Sequence, residues 1–222
     1  MPERLSTTGF LRALCLLVLL GMPGAVVAEW TGVEVEIGDL EVDWEFSDDV
    51  RQAKSNSLFL RIEERIQSGL AVGAGIGYYS LRLDAFDGGD KIKFEAYALE
   101  FYLRQEFQMN ETLSIEPLLS YSLNDGRENS SADDRADLDW SQVTFELGLP
   151  IRLSNWRITP YVNYSSVDGD TSGVEQGGSF ELEDPFSQGV RFDIFTESTA
   201  FIRIELQSGS QTGGYLSFVR RY

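Results

Sequence analysis

From Tyr97 to Glu106 the chain alternates. Tyr97, Leu99, Phe101 and Leu103 are large and apolar, and Ala98, Glu100, Tyr102 and Arg104 separate them. Successive side chains of a strand point to opposite faces, so this stretch has one apolar face and one polar face. The same split recurs, and it predicts ten strands: roughly 33–46, 57–66, 70–79, 97–106, 113–123, 143–152, 157–164, 190–195, 200–206 and 215–222. In the first strand the apolar phase runs Val33, Val35, Ile37 and then Leu40, Val42, Trp44, Phe46. That slip at Gly38 and Asp39 predicts a β-bulge.

The connections alternate as well. Those near 67, 110, 154 and 197 are short, whereas those near 47–55, 84–91, 124–138, 168–186 and 208–213 are longer and rich in Asp, Gly, Ser and Asn. Short periplasmic turns and longer extracellular loops are the asymmetry of outer-membrane barrels. Both chain termini are then expected in the periplasm, which requires an even strand number; eight is the alternative to ten. The expected fold is all-β: a single antiparallel up-and-down transmembrane β-barrel. The chemically different alternative is a soluble periplasmic barrel of lipocalin-like type, with the apolar phase inside. Gly73, Gly75 and Gly77 share the polar phase and speak against it, because a solvated surface has no reason to choose glycine. Aromatic residues near strand ends also suit the two membrane interfaces: Trp44, Phe46, Tyr78, Tyr121, Trp140 and Tyr164 toward the loops, Trp156 and Tyr222 toward the turns.

The N-terminus carries Arg4 and Arg12, an apolar run over 13–20, and small residues ending at Ala28. This is the order of a cleavable export signal, with residues 1–28 removed and 29–222 forming the barrel. The run is too short for a spanning helix. Cys15 lies within that signal, so no disulfide framework is expected. The chain has 18 Lys plus Arg against 36 Asp plus Glu, a net charge of −18, which gives no footprint for nucleic acid.

The stretch LAVGAGIGYYSL over 70–81 and the ending GGYLSFVRRY over 213–222 resemble the small outer-membrane β-barrels of OmpA and OmpX type. The resemblance implies an integral outer-membrane protein delivered to the barrel-assembly machinery. Leu216, Phe218 and Tyr222 would form the assembly signal; Arg220 departs from the usual apolar residue. The enzymes of that superfamily work through a catalytic histidine, and this chain contains none.

The polar phase places charges of both signs in the lumen: Arg61, Glu63, Arg65, Glu100, Arg104, Glu106, Glu146, Arg203 and Glu205, joined by Glu116, Arg152, Arg157, Arg191 and Asp193. The bulge would add Glu41, Asp43 and Glu45 to them. Paired charges would fill a bore of this size. The glycine row would let Phe59, Arg61, Tyr102 or Arg104 lie across the third strand. Acidic clusters at Asp84, Asp87, Asp90; Asp133, Asp134, Asp137, Asp139; Asp168, Asp170; and Glu181, Glu183, Asp184 fall in the loops. They predict a repulsive cell surface or loose divalent bridging to lipopolysaccharide. The expectation is a non-enzymatic monomer with a structural or surface-interaction role, without cofactor, in contact with lipid and lipopolysaccharide. A small cation-preferring channel is the alternative.

Overall fold

The structure, a computed structural model, describes residues 28–46, 49–66, 69–84, 91–129, 135–173 and 178–222. Residues 1–27 of the expected export signal, with Cys15, and also Asp87, Asp90, Asp133 and Asp134 lie outside these. The strands are β1 (Ala28–Phe46), β2 (Asp49–Ile66), β3 (Leu70–Leu83), β4 (Ile92–Gln105), β5 (Phe107–Gln108), β6 (Ser114–Glu128), β7 (Asp137–Gly148), β8 (Ile151–Leu153), β9 (Trp156–Ser172), β10 (Ser179–Leu182), β11 (Phe186–Glu197), β12 (Ala200–Gly209) and β13 (Gln211–Arg221). Every pairing is antiparallel. Ten of them close a ring in the order β1, β13, β12, β11, β9, β7, β6, β4, β3, β2 and back to β1. The short β5 and β8 extend the turn end by pairing with β6 and β9.

The first strand contains no bulge at Gly38. Its pairing with β13 runs unbroken from Gly32↔Arg221 to Val42↔Gln211, and its pairing with β2 runs unbroken through Gly38↔Ser57 and Asp39↔Asn56. What changes there is the surroundings, not the register. Below Gly38 the outward residues Val35 and Ile37 are exposed and apolar, and the inward Glu36 is buried. Above it the outward positions are Asp39, Glu41, Asp43 and Glu45, and the inward Val42, Trp44 and Phe46 are buried. Lipid demands apolar side chains outside, whereas water demands them inside. The strand therefore keeps one geometry and inverts its chemistry on leaving the bilayer. Glu41, Asp43 and Glu45 accordingly do not enter the lumen; Glu41 pairs with Lys54 on the outer face.

The other long strands invert in the same way. On β3 the outward Ile76 and Tyr78 give way to Ser80 and Arg82, while inward Gly73 and Gly75 give way to buried Leu81 and Leu83. On β4 the outward Leu99 and Tyr97 give way to Glu95 and Lys93, above buried Ala96 and Phe94. Much of what reads as acidic loop is therefore strand standing clear of the membrane. Trp44, Phe46 and Trp140 are not girdle residues but part of a buried apolar cluster there, with Leu83, Phe94, Leu138, Val167, Phe180 and Leu182. Tyr97, Tyr164 and Phe186 face outward at the loop-side boundary, and Trp156 and Tyr222 at the turn side.

The projecting part has fewer strands than the membrane ring. β13 stops pairing with β1 at Val42↔Gln211, and β11 stops pairing with β9 at Phe186↔Tyr164. Above that level β10 replaces β11, β12 and β13. It pairs with β1 through Trp44↔Leu182 to Phe46↔Phe180 and with β9 through Phe180↔Gly169 and Ser179↔Asp170. A ring of ten thus narrows to a collar of eight, packed around aromatic side chains. The Trp44 and Phe180 rings are 4.6 Å apart, and those of Phe46 and Phe180 4.9 Å.

Candidate functional site

Among the described residues buried charge is concentrated in the lumen, which is built in layers. At the turn end, Arg65 binds Glu106 at 3.0 Å, and Glu106 accepts a bond from Ser114 at 3.0 Å. Arg104 pairs with Glu63 and lies 3.9 Å from Glu116. Asp193, 1% exposed, accepts from Arg157 Nε at 2.7 Å and from Arg203 Nε at 2.8 Å. Arg221 stands among these cations, stacked 4.5 Å over the Trp30 ring and 5.1 Å over Phe201. Higher up, Arg61 joins three strands: it lies 2.9 Å from Glu36, 2.6 Å from Glu100 and 4.0 Å from Glu34. On the opposite wall Arg191 pairs with Glu146 and, at 2.7 Å, with Glu205. Tyr161 donates to Glu205 at 2.6 Å and lies 4.4 Å beneath the Arg191 guanidinium.

Glycines make room for the larger of these groups. A Cβ on Gly73 would lie 2.0 Å from the Tyr102 ring, one on Gly77 2.4 Å from Phe59, and one on Gly75 2.8 Å from Arg61 Cγ. The row on β3 is therefore a floor on which side chains from β2 and β4 lie flat. Between the two Arg-centred groups remains a chamber of about 200 Å³. The apolar cluster of the collar lies on its loop side.

Arg61, Glu63, Arg65, Glu100, Arg104, Glu106, Glu146, Arg203 and Glu205 face the lumen, as do Glu116, Arg157, Arg191 and Asp193. Arg152 does not join them, being exposed on β8. Glu34 and Glu36 were missed, although they alternate with the apolar Val33, Val35 and Ile37 and so had to share the polar phase. Leu216 and Phe218 face outward on β13, and Tyr222, just past its end, is exposed.

On the outer face of the collar the acidic residues form a row. Asp125 is opposite Asp139 across β6 and β7, and Asp139 is opposite Asp170 across β7 and β9. Partial desolvation and the neighbouring Asp125, Asp137 and Asp170 carboxylates push the Asp139 carboxyl above its ordinary range, against the lowering effect of Arg127. Asp84, by contrast, is paired with Lys91 at 2.7 Å. Among the described residues no group of three or more His, Cys, Asp or Glu side chains is arranged to hold a metal ion.

This closed ring of antiparallel strands agrees with the comparison by sequence: the family described as autotransporter beta-domain matches residues 34–187. The chain belongs to the autotransporter beta-domain family. Among solved structures this β-domain is similar to the transport unit of the autotransporter AIDA-I from Escherichia coli, with a TM-score of 0.52 at 8% identity over 96% of each chain. It is also similar to the translocator domain of the autotransporter NalP from Neisseria meningitidis, with a TM-score of 0.49 at 10% identity over 97% of this chain and 95% of that one. Neisserial surface protein A gives a TM-score of 0.48 at 10% identity over 86% and 97%. No curated protein matches the sequence. At such identities the likeness to solved structures shows the fold alone. Family and fold together make the β-domain an integral protein of the bacterial outer membrane.

Proposed function

We propose that this β-domain is a closed, non-catalytic barrel that acts through its outer surface, in the manner of the small OmpA and OmpX types. The observation that carries this reading is the double closure of the lumen. Arg–carboxylate groups cross the membrane-spanning bore, and the apolar collar caps it on the loop side. A hydrated ion in transit would have to pass buried Trp44, Trp140 and Phe180. A polypeptide would need still more room. The absence of histidine from the sequence supports a role without general acid–base chemistry of that kind. The outward apolar band and the acidic collar suit lipid and lipopolysaccharide as neighbours, and the outward Leu216, Phe218 and Tyr222 suit recognition by the assembly machinery.

Planar-bilayer recording tests the reading. The wild-type barrel should give no steady conductance, and a Trp44→Ala/Trp140→Ala variant should flicker open more often. Reproducible single-channel steps from the wild type, altered by Glu100→Gln, would establish a channel instead.

A further inference from the structure

The chamber in the barrel is lined by five carboxylates: Glu34, Glu36, Glu100, Glu146 and Glu205. Two guanidiniums are committed to them. Arg61 is shared by Glu34, Glu36 and Glu100, and Arg191 by Glu146 and Glu205. Arg203 comes within 3.9 Å of Glu34 but is held by Asp193, and Arg104 is held by Glu63. Even counting both, the lining carries more carboxylates than guanidiniums. A surplus charge confined away from water is costly unless something offsets it.

A second observation locates the deficit. Glu146 Oε1 and Asn163 Oδ1 are buried and have no hydrogen-bond partner. The two residues are directly opposite on β7 and β9, are only 4% and 8% exposed, and both line the chamber. Beside them are the Thr144 and Ser165 hydroxyls, 2.8 Å apart. Both orphan atoms are acceptors, so what completes them must be a donor or a cation. Water satisfies an acceptor but leaves the charge surplus untouched; a cation answers both.

We propose that the chamber holds a partly hydrated alkali cation seated between Glu146 and Asn163. The donor set is one carboxylate oxygen, one amide oxygen and neutral hydroxyls. Tight Ca²⁺ or Mg²⁺ sites gather more carboxylate ligands than that. The second oxygen of Glu146 is held by Arg191, which fixes the carboxylate without filling the first.

The full chain is refolded from urea into micelles in KCl or in N-methylglucamine chloride at equal ionic strength, and the midpoint of its heat-modifiable gel mobility is measured. Binding to the folded state alone should raise the midpoint by about 3–6 °C per tenfold increase in K⁺ above saturation. Glu146→Gln and, independently, Asn163→Ala should abolish that dependence. Crystals of wild type refolded in RbCl should show an anomalous peak between Glu146 and Asn163. Identical wild-type midpoints in the two salts with no peak in the chamber would overturn the proposal. So would a K⁺ dependence that survives both substitutions. These are equilibrium readouts, so their failure would leave the closed-lumen reading standing, and conductance is measured separately.

Discussion

The Tyr102 ring lies across the Cα of Gly73 on the neighbouring strand, so closely that a Cβ there would be 2.0 Å from the ring carbon Cζ. Tyr102 is itself buried. A side chain at position 73 must therefore displace the ring into a lumen already crowded by Arg61, Glu63 and Arg104. Gly73→Val should cost about 1–3 kcal/mol, the usual range for overpacking. Gly73→Val/Tyr102→Ala should recover part of it. Urea titration of the refolded barrel, followed by gel mobility, reads both. A neutral Gly73→Val would mean that the ring moves away freely.

The inversion of chemistry along β1 makes a position-dependent prediction. Val35 and Asp43 point to the same side of one strand, Val35 into lipid and Asp43 into water. Arginine on the lipid face costs roughly 2–4 kcal/mol near the midplane and about 0–1 near the interfaces. Val35→Arg should approach the larger figure, Ile37→Arg beside the boundary should cost less, and Asp43→Arg should stay within about 0.5 kcal/mol, as exposed substitutions do. The same contrast should hold on β4 between Leu99→Arg and Glu95→Arg. Equal penalties at 35 and 43 would place both positions in one environment and remove the boundary from Gly38.

That boundary also explains what could be read from the sequence. β4 was legible because Tyr97, Leu99, Phe101 and Leu103 face lipid throughout. β1 was misread at Gly38 because a change of solvent along a straight strand looks, in sequence, like a change of register. The stretch from Asn124 to Leu138 read as loop for the same reason: Asp125, Arg127 and Asp137 face water, and the inward Gly126 gives no apolar mark. β10 has only four residues, too few for the alternation of Phe180 and Leu182 to mark a strand. Lumenal charges were legible as a class, since phase alone assigns them. Their partners were not: Arg191 and Glu146 are 45 residues apart and meet only because β9 stands between their strands.

Asp193 serves two guanidiniums, Arg157 and Arg203, from an almost inaccessible position. Asp193→Asn keeps the shape, removes the ion pair of Arg157 and leaves Arg203 only Glu34 at 3.9 Å. Removing one partner of a buried pair costs about 3–5 kcal/mol, because the remaining charge has no compensation. The substitution should therefore be among the most damaging single changes in the lumen. Asp193→Asn/Arg203→Met should be milder, since one stranded charge is then gone. Refolding yield and urea midpoint give the comparison. A double variant worse than the single one would show that Arg203 contributes through packing rather than charge.

The acidic row on the collar predicts a pH dependence of definite sign. Partial desolvation and neighbouring carboxylates raise the Asp139 carboxyl above its ordinary value in the folded protein. The folded state then holds that proton more firmly than the unfolded chain does. The resulting stabilisation is complete below the unfolded value and is lost as pH rises through the folded one. Asp139→Asn should therefore stabilise the collar at neutral pH, with a difference from wild type that vanishes on acidification and shrinks in high salt. Hydrogen exchange of the amides of β7 across that range is the measurement. A variant that loses protection at neutral pH would show that Asp139 is stabilising there.

The collar and the membrane ring share strands but not their packing, and Phe180 is where they separate. Its ring touches Trp44 and Phe46 and covers Gly169, where a Cβ would be 2.2 Å from it. The backbone of β10 is bound only to β1 and β9 at the collar level, whereas β11, β12 and β13 hold the ring below. Phe180→Ala removes the aromatic centre and should cost about 3–5 kcal/mol locally. Strand pairings within the bilayer do not include position 180, so the ten-stranded ring should survive. The expected phenotype is split: protease added outside intact cells should cleave near 178–186, while unheated samples of the uncleaved protein keep their folded gel mobility. Gly169→Ala, which pushes the same ring from below, should give a weaker version. Loss of heat-modifiable mobility in Phe180→Ala would mean that collar and ring unfold as one unit, and that the apolar cap is part of what holds the barrel in the membrane.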